Sequence, residues 1–348
     1  MSKIYTRMGD GTLVEMEPEE IRNDIQEASM DAADRGKIPP LNEGELEHLY
    51  DICTMPAKVV SVERGNEIVV TIDGGTNKIY RHGIQSGRVT RIQMHERAFG
   101  FDTMELSHID YSFKQVKSIA HEEKGEMEDA LLSTIVPLFY GAMPNLGLYS
   151  QPDGPVPNAA ELMPKGLIKE AQEAQEEAIE HAVKDMVYVG SALYESGADG
   201  INFDTTGAAG DTDVKATLIA IEKLKDKYPE MGVEMGMAGE FILGMHGGLS
   251  HHDTRLAGLY PHKQVELAEK SGVNIFGAVV NTNSSKSFPW NLSRAVTYCK
   301  ACGEQARIPL HANVGMGVGG VPNSDMNPVD AISRVSKAMA EVAKLDGL

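Results

Sequence analysis

Glu240 closes the run Met235-Gly236-Met237-Ala238-Gly239. A carboxylate just past an apolar run is placed to bind a cation or to take a proton from a bound substrate. Asp204, with Thr205 and Thr206 after it, closes the run that begins at Gly200. Tyr140 and Asn145, Asn281 and Asn283, and His311 and Asn313 stand at the ends of three further runs. Parallel α/β folds gather their reactive groups at the C-terminal ends of their strands, so this recurrence reads as a small-molecule site. Each of these side chains could instead cap the following helix or bond a loop amide. Asp204 and Thr205 are good caps, so both readings stay open for them. Glutamate is a poorer cap, and Glu240 is read as functional.

Other groups carry weaker signals. Gly315-Met316-Gly317-Val318-Gly319-Gly320 could cradle an anion through backbone amides, but it lacks the Lys-Ser/Thr of a phosphate loop. It reads better as a loop that makes room for a partner or ligand. His246, His251, His252, Asp253 and His262 cluster in sequence without a recognised ligand spacing on a helix. They read as a solvated histidine-rich loop, and no metal is expected. Cys299 and Cys302 form a C-x-x-C pair, but with Cys53 the chain holds only three cysteines, too few for a four-thiolate zinc site. Buried thiols are expected there. His95-Glu96-Arg97 and His108-Ile109-Asp110-Tyr111 could serve acid–base chemistry or local ion pairs equally well.

The elements that must position these groups fall into two regions, 1–125 and 126–348. In the first, Asp10-Gly11 and Asp73-Gly74-Gly75 signal hairpins. Glu67 to Ile72 predicts a strand, with Lys78 to Arg81 returning antiparallel to it. Helices are expected after Glu17-Pro18-Glu19-Glu20 and from about Asn42 to Cys53. This region reads as an N-terminal α/β extension. In the second, the apolar runs Ile135–Tyr140, Gly200–Phe203, Val233–Ala238, Asn274–Val280 and Ile308–Val314 alternate with helical stretches. Their spacing holds one strand and one helix each, which implies a parallel sheet. From Lys165 to Glu195, Ile168, Ala171, Ala178, Ala182, Met186, Val189 and Leu193 form an amphipathic helical stripe. No glycine fingerprint follows a first strand, so a (β/α) barrel of the TIM type is preferred to a doubly wound sheet.

Ser196-Gly197-Ala198-Asp199-Gly200-Ile201 precedes one strand, and Ala343-Lys344-Leu345-Asp346-Gly347-Leu348 repeats that pattern at the end of the sequence. The expectation is that a further strand begins there, leaving the barrel incomplete at its C-terminus. A frayed helix end is the alternative. Composition narrows the function classes. The formal net charge of −19 disfavours nucleic acid or an anionic membrane as partner. No apolar run approaches the 18 or so residues of a membrane span, and the first residues hold no apolar signal segment. Three cysteines in 348 residues fit a reducing cytoplasm.

Longer strings now become recognisable. Arg7-Met8-Gly9-Asp10-Gly11, His95-Glu96-Arg97-Ala98-Phe99-Gly100, Met104 through Lys114, Pro137 through Asn145, Asn202-Phe203-Asp204-Thr205-Thr206, Gly236-Met237-Ala238-Gly239-Glu240 and Met316 through Gly320 resemble the dimethylamine methyltransferases of methanogenic archaea. The resemblance runs essentially end to end. It implies a barrel enzyme that demethylates dimethylamine, passes the methyl group to the Co(I) corrinoid of a separate cognate protein and leaves monomethylamine. It further implies pyrrolysine, encoded by an in-frame amber codon, after a segment like Asp346-Gly347-Leu348. On the strength of the apparently missing strands, the 348-residue product alone is expected to be inactive and prone to aggregate. Glu240 first and Asp204 second are the expected catalytic carboxylates. Tyr140, Asn281, Asn283 and His311 are expected to line the substrate. The chain is expected to hold no cofactor of its own and to form a homo-oligomer. A non-catalytic fragment that binds the corrinoid protein, and a zinc-dependent methyltransferase barrel, are the alternatives.

Overall fold

Asp10-Gly11 turns the chain through a tight hairpin. The Gly11 N–H reaches the Met8 carbonyl at 2.9 Å, and Gly11 sits at φ 88°, a conformation that glycine enters without strain. The hairpin joins β1 (Ile4–Arg7) to β2 (Leu13–Met16), antiparallel with Ile4 opposite Met16. This computed structural model describes residues 3–57, 60–63, 65–66, 68, 70–73, 77–79, 84–86, 105–109, 138–142, 146–244, 247–278, 283–312, 314, 317–323 and 328–348. Helix α1 (Pro18–Gly36) starts on a proline in its first turn, and the Glu20 carboxylate accepts from the Glu17 N–H at 2.8 Å. Helix α2 (Glu43–Thr54) is capped by Asn42, whose side chain accepts from the Glu45 N–H. Strands β3 (Val70–Asp73), β4 (Asn77–Ile79), β5 (Ile84–Ser86), β6 (Glu105–Ile109) and β7 (Leu138–Ala142) follow. β4 takes β5 as its antiparallel partner, with Ile79 opposite Ile84, and not the strand before it. The expected return of Lys78 to Arg81 onto the Glu67–Ile72 strand is thus corrected. Strand period shows that a segment pairs, not with which neighbour.

The rest of the chain alternates. A short helix α3 (Ala159–Leu162) leads into α4 (Ile168–Glu195), then β8 (Gly200–Thr206), α5 (Asp211–Lys227) and β9 (Gly232–Met237). A small hairpin of β10 (Ser250–His251) and β11 (Thr254–Arg255) precedes α6 (Pro261–Lys270) and β12 (Ile275–Gly277). Then come α7 (Phe288–Gln305), β13 (Leu310–His311) and α8 (Val329–Glu341). The chain is a mixed α/β structure with a parallel sheet and helices. No helix among the described residues is long and apolar enough to cross a membrane.

Two compact units emerge. One comprises Met1–Glu105, Tyr260–Val265 and Gly277–Leu348, the other Leu106–Leu259 and Glu266–Phe276. In the first, α1 packs along α7 through buried Ile21, Ile25, Ala28 and Ala32. The contact also carries hydrogen bonds: Ser293 Oγ donates to the Ile25 carbonyl at 2.6 Å, and Arg294 pairs with Asp31. Arg334 of α8 donates to the Ile52 and Met55 carbonyls at the C-terminal end of α2, where a cation meets the negative end of the helix dipole. Gly347 forms a parallel bridge with His311, and the Asp346 and Gly347 N–H groups both reach the Leu310 carbonyl at 3.0 Å.

In the second unit, β6, β7, β8, β9 and β12 lie side by side in that order, and each successive pair from β6 to β9 is parallel. α4 and α5 pack on one another and on β8. Alanines 171, 174, 178 and 182 are buried on α4, and Gly190 lets α5 come close. A Cβ on Gly190 would stand 2.8 Å from Leu224 Cδ1 and 3.5 Å from Ile201 Cδ1. Ile201 therefore points into the helical layer.

Candidate active site

Residues alternate sides along a strand, so the face of β8 opposite Ile201 and Phe203 carries Asn202. In a parallel pair, residues in register share a side, and Asn202 is in register with Glu234 of β9. Both are buried, at 2 % exposure each. Among the described residues the Asn202 Oδ1 accepts no hydrogen bond. A buried acceptor without a donor costs about 1–3 kcal/mol unless a ligand or water supplies one. The neighbour of Asn202 on β7 is Gly141, and the next residue of β9 on the Glu234 side is Gly236. Neither glycine brings a side chain to that face. An amide oxygen and a carboxyl group thus stand side by side on this face, flanked by two glycines.

The loops beyond these strands are tied together by the start of α5. Asp213 is fully buried and accepts from the Ala209 N–H at 2.7 Å and the Leu146 N–H at 3.3 Å. Leu146 follows β7, so this carboxylate joins the loop after β7 to the loop after β8. The Asp211 N–H donates to the Leu243 carbonyl at 2.6 Å, drawing in the loop after β9. Gly210 makes that possible. It sits at φ 92°, and a Cβ there would meet the Leu243 oxygen at 2.5 Å. Thr212 accepts from Gln175 of α4 at 2.8 Å.

Burial pushes the Asp213 carboxyl up to about 6, against the two N–H groups that favour its charge. A carboxyl raised in the folded state contributes stability that is present below its ordinary value and lost as pH rises through about 6. The expected loss across that window is about 3 kcal/mol. Melting temperatures at about pH 4.5 and about pH 7 check this. The native protein should lose more between the two than Asp213→Asn, which cannot titrate.

The sequence-predicted residues are distributed as follows. Glu240 lies three residues beyond β9, half-buried on the loop that follows it. Asp204 and Thr205 lie within β8, and α5 begins only at Asp211 with Gly210 as its cap, so neither starts that helix. Their helix-capping reading is corrected: the strand runs on through them. Thr206 is buried and donates to the Phe203 carbonyl at 3.1 Å. Tyr140 is placed by its backbone in β7, opposite Ile201. His311 is buried in β13, and its carbonyl accepts from the Ala278 N–H at 3.0 Å. The Asn283 amide donates to the Gly9 and Val321 carbonyls, at 2.8 and 3.2 Å, linking three loops of its unit. Asn145, Asn281, Asn313, His246 and the His95 and Asp110-Tyr111 segments lie outside the described residues.

The glycine-rich loop makes room for a helix. A Cβ on Gly320 would stand 2.8 Å from the backbone of Leu292 on α7. Cys53, Cys299 and Cys302 are buried, and burial pushes the Cys53 and Cys299 thiols up to about 12, so neither is a nucleophile at neutral pH. The histidine-rich segment is not wholly a solvated loop, because His251 is buried in β10. Asn202 and Glu234 are not among the sequence-predicted candidates because each sits inside a run read for its apolar members. The alternation of Ile201, Asn202, Phe203 and Asp204 was the available signal.

Solved structures similar to the chain share little sequence with it. The homocysteine methyltransferase MmuM from Escherichia coli is 11 % identical over 78 % of this chain and 96 % of its own, with a TM-score of 0.34. The YdjI aldolase from Escherichia coli K12 is 11 % identical over 79 % and 89 %, at 0.33. A chitinase from Chromobacterium violaceum is 10 % identical over 70 % and 68 %, at 0.36. None of the three carries an activity over at that identity. The sequence itself is decisive: residues 2–348 match the dimethylamine methyltransferase family, and the chain belongs to it.

Proposed function

We propose that this protein takes a methyl group from dimethylamine and passes it to the Co(I) corrinoid of a separate protein, releasing monomethylamine. In this reading the parallel strands belong to a (β/α) barrel, and the amine binds at the sheet face that carries Asn202 and Glu234. The observation that supports it is the buried, unsatisfied Asn202 Oδ1 in register with the buried Glu234. Dimethylammonium has two N–H donors and two methyl groups. One N–H satisfies the amide oxygen and the other meets the carboxyl group, while Gly141 and Gly236 leave space for the methyls. The amine is mostly protonated at neutral pH, and its lone pair becomes available only when that proton leaves. Glu234 is the first candidate to take it, ahead of Glu240 beyond β9 and Asp204 in β8.

The corrinoid, carried by the partner, supplies the nucleophile that receives the methyl group. The family resemblance assigns the covalent capture of the amine to pyrrolysine, which is not among the 348 residues. This chain's own residues bind the amine, orient it and hold its proton, a contribution of positioning and acid–base catalysis. Dimethylamine-dependent methylation of the partner's Co(I) tests the reading.

A further inference from the structure

The β10–β11 hairpin brings His251 and His252 against α5. Its two central residues, His252 and Asp253, sit at φ 44° and φ 59°. This is the left-handed turn that glycine and asparagine usually fill, and side chains there are uncommon. The turn aims two adjacent imidazoles at one carboxylate. His251 Nε2 stands 2.8 Å from Glu222 Oε1, and His252 Nε2 stands 2.6 Å from the same atom. The rings are 4.3 Å apart at 61°. Ser271 Oγ donates to Glu222 Oε1 at 2.9 Å and supports the carboxylate from a third segment.

We propose that Glu222, His251 and His252 form a binding site for a divalent transition metal, zinc first, which clamps the hairpin to α5. One ligand atom from each residue lies within 4.8 Å of the others. Zinc needs its ligands at about 2.0–2.2 Å in a tetrahedron, which separates neighbouring donors by roughly 3.3 Å. The two short contacts would open by about half an ångström as the metal replaces the shared proton contacts. His252 is half exposed, so it can make that shift and leave a fourth position to solvent. Two imidazoles and one carboxylate select zinc or its neighbours over calcium and magnesium, which prefer oxygen donors alone. Glu222 lies on α5, in the layer over the face of the sheet opposite Asn202 and Glu234. The metal therefore clamps the fold and takes no part at the amine.

Titration of the untagged, chelator-treated protein with zinc chloride, followed by calorimetry, tests this. The expected result is one equivalent bound, a zinc-dependent rise in melting temperature, and a tetrahedral absorption spectrum with Co(II). His252→Ala, at the exposed ligand, should weaken binding at least a hundredfold and abolish the zinc-dependent rise while melting normally without metal. Glu222→Gln should do the same with no loss of side-chain volume. Absence of stoichiometric binding, or native affinity in both variants, would overturn the proposal.

Discussion

Glu234→Gln is expected to lower dimethylamine-dependent methyl transfer by about a hundred- to ten-thousand-fold, the range that a positioned acid–base group contributes. Glutamine keeps the volume and one acceptor oxygen at this buried position in register with Asn202, so the fold should survive. What it loses is the charge that holds the ammonium and the base that takes its proton. The deficit should shrink as pH rises and more of the amine is supplied neutral. Asn202→Ala should act differently: it removes one oriented acceptor, so KM for dimethylamine should rise about tenfold with a smaller change in kcat. Rates measured across pH for both variants separate binding from proton transfer. A Glu234→Gln rate within threefold of native would return the role to Glu240 or Asp204.

Glu341→Ala is expected to destabilise its unit by about 3–5 kcal/mol, the effect of stranding a buried charge. Lys337 and Glu341, at 2 % and 3 % side-chain exposure, pair at 3.0 Å one turn apart on α8. Glu341 also accepts from the Glu63 N–H at 2.7 Å and contacts His48 Nε2 at 2.8 Å. Among the described residues, alanine leaves the ammonium with Glu63 alone, a side chain that is 71 % exposed. The Glu63 N–H loses its acceptor as well. Burial by itself would raise the Glu341 carboxyl, but the Glu63 N–H, Lys337 and His48 together hold it below the ordinary glutamate value. A depressed carboxyl contributes stability above its ordinary value and loses it as pH falls through the folded one. Glu341→Ala should therefore melt well below the native protein at neutral pH, with the gap closing in acid. Replacing both Lys337 and Glu341 by methionine should recover much of the loss.

Local signals carried far in this chain. Pro18, the stretch from about Asn42 to Cys53 and the amphipathic stripe from Ile168 to Leu193 located three helices, because the helical period is written in consecutive residues. The apolar runs located β7, β8, β9, β12 and β13 for the same reason. Pairing was less legible: β4 chose β5, and nothing in a short alternating segment names its partner. The candidate site was hidden in part by the same limit. Glu234 looks like an interruption of an apolar strand until the register sets it beside Asn202. The contact of Glu222 with His251 and His252 joins a helix to a hairpin of two-residue strands, far apart in sequence, and no local spacing reports it. Asp213 carries no signal in the sequence, and only the fold shows that it binds the loop after β7.

In the proposed reaction dimethylamine is the methyl donor at this sheet face. The direct measurement mixes the protein with the partner corrinoid protein in the Co(I) state. Dimethylamine should convert Co(I) to the methylated form with one monomethylamine released per methyl group. Methylation that proceeds equally well without dimethylamine would contradict it.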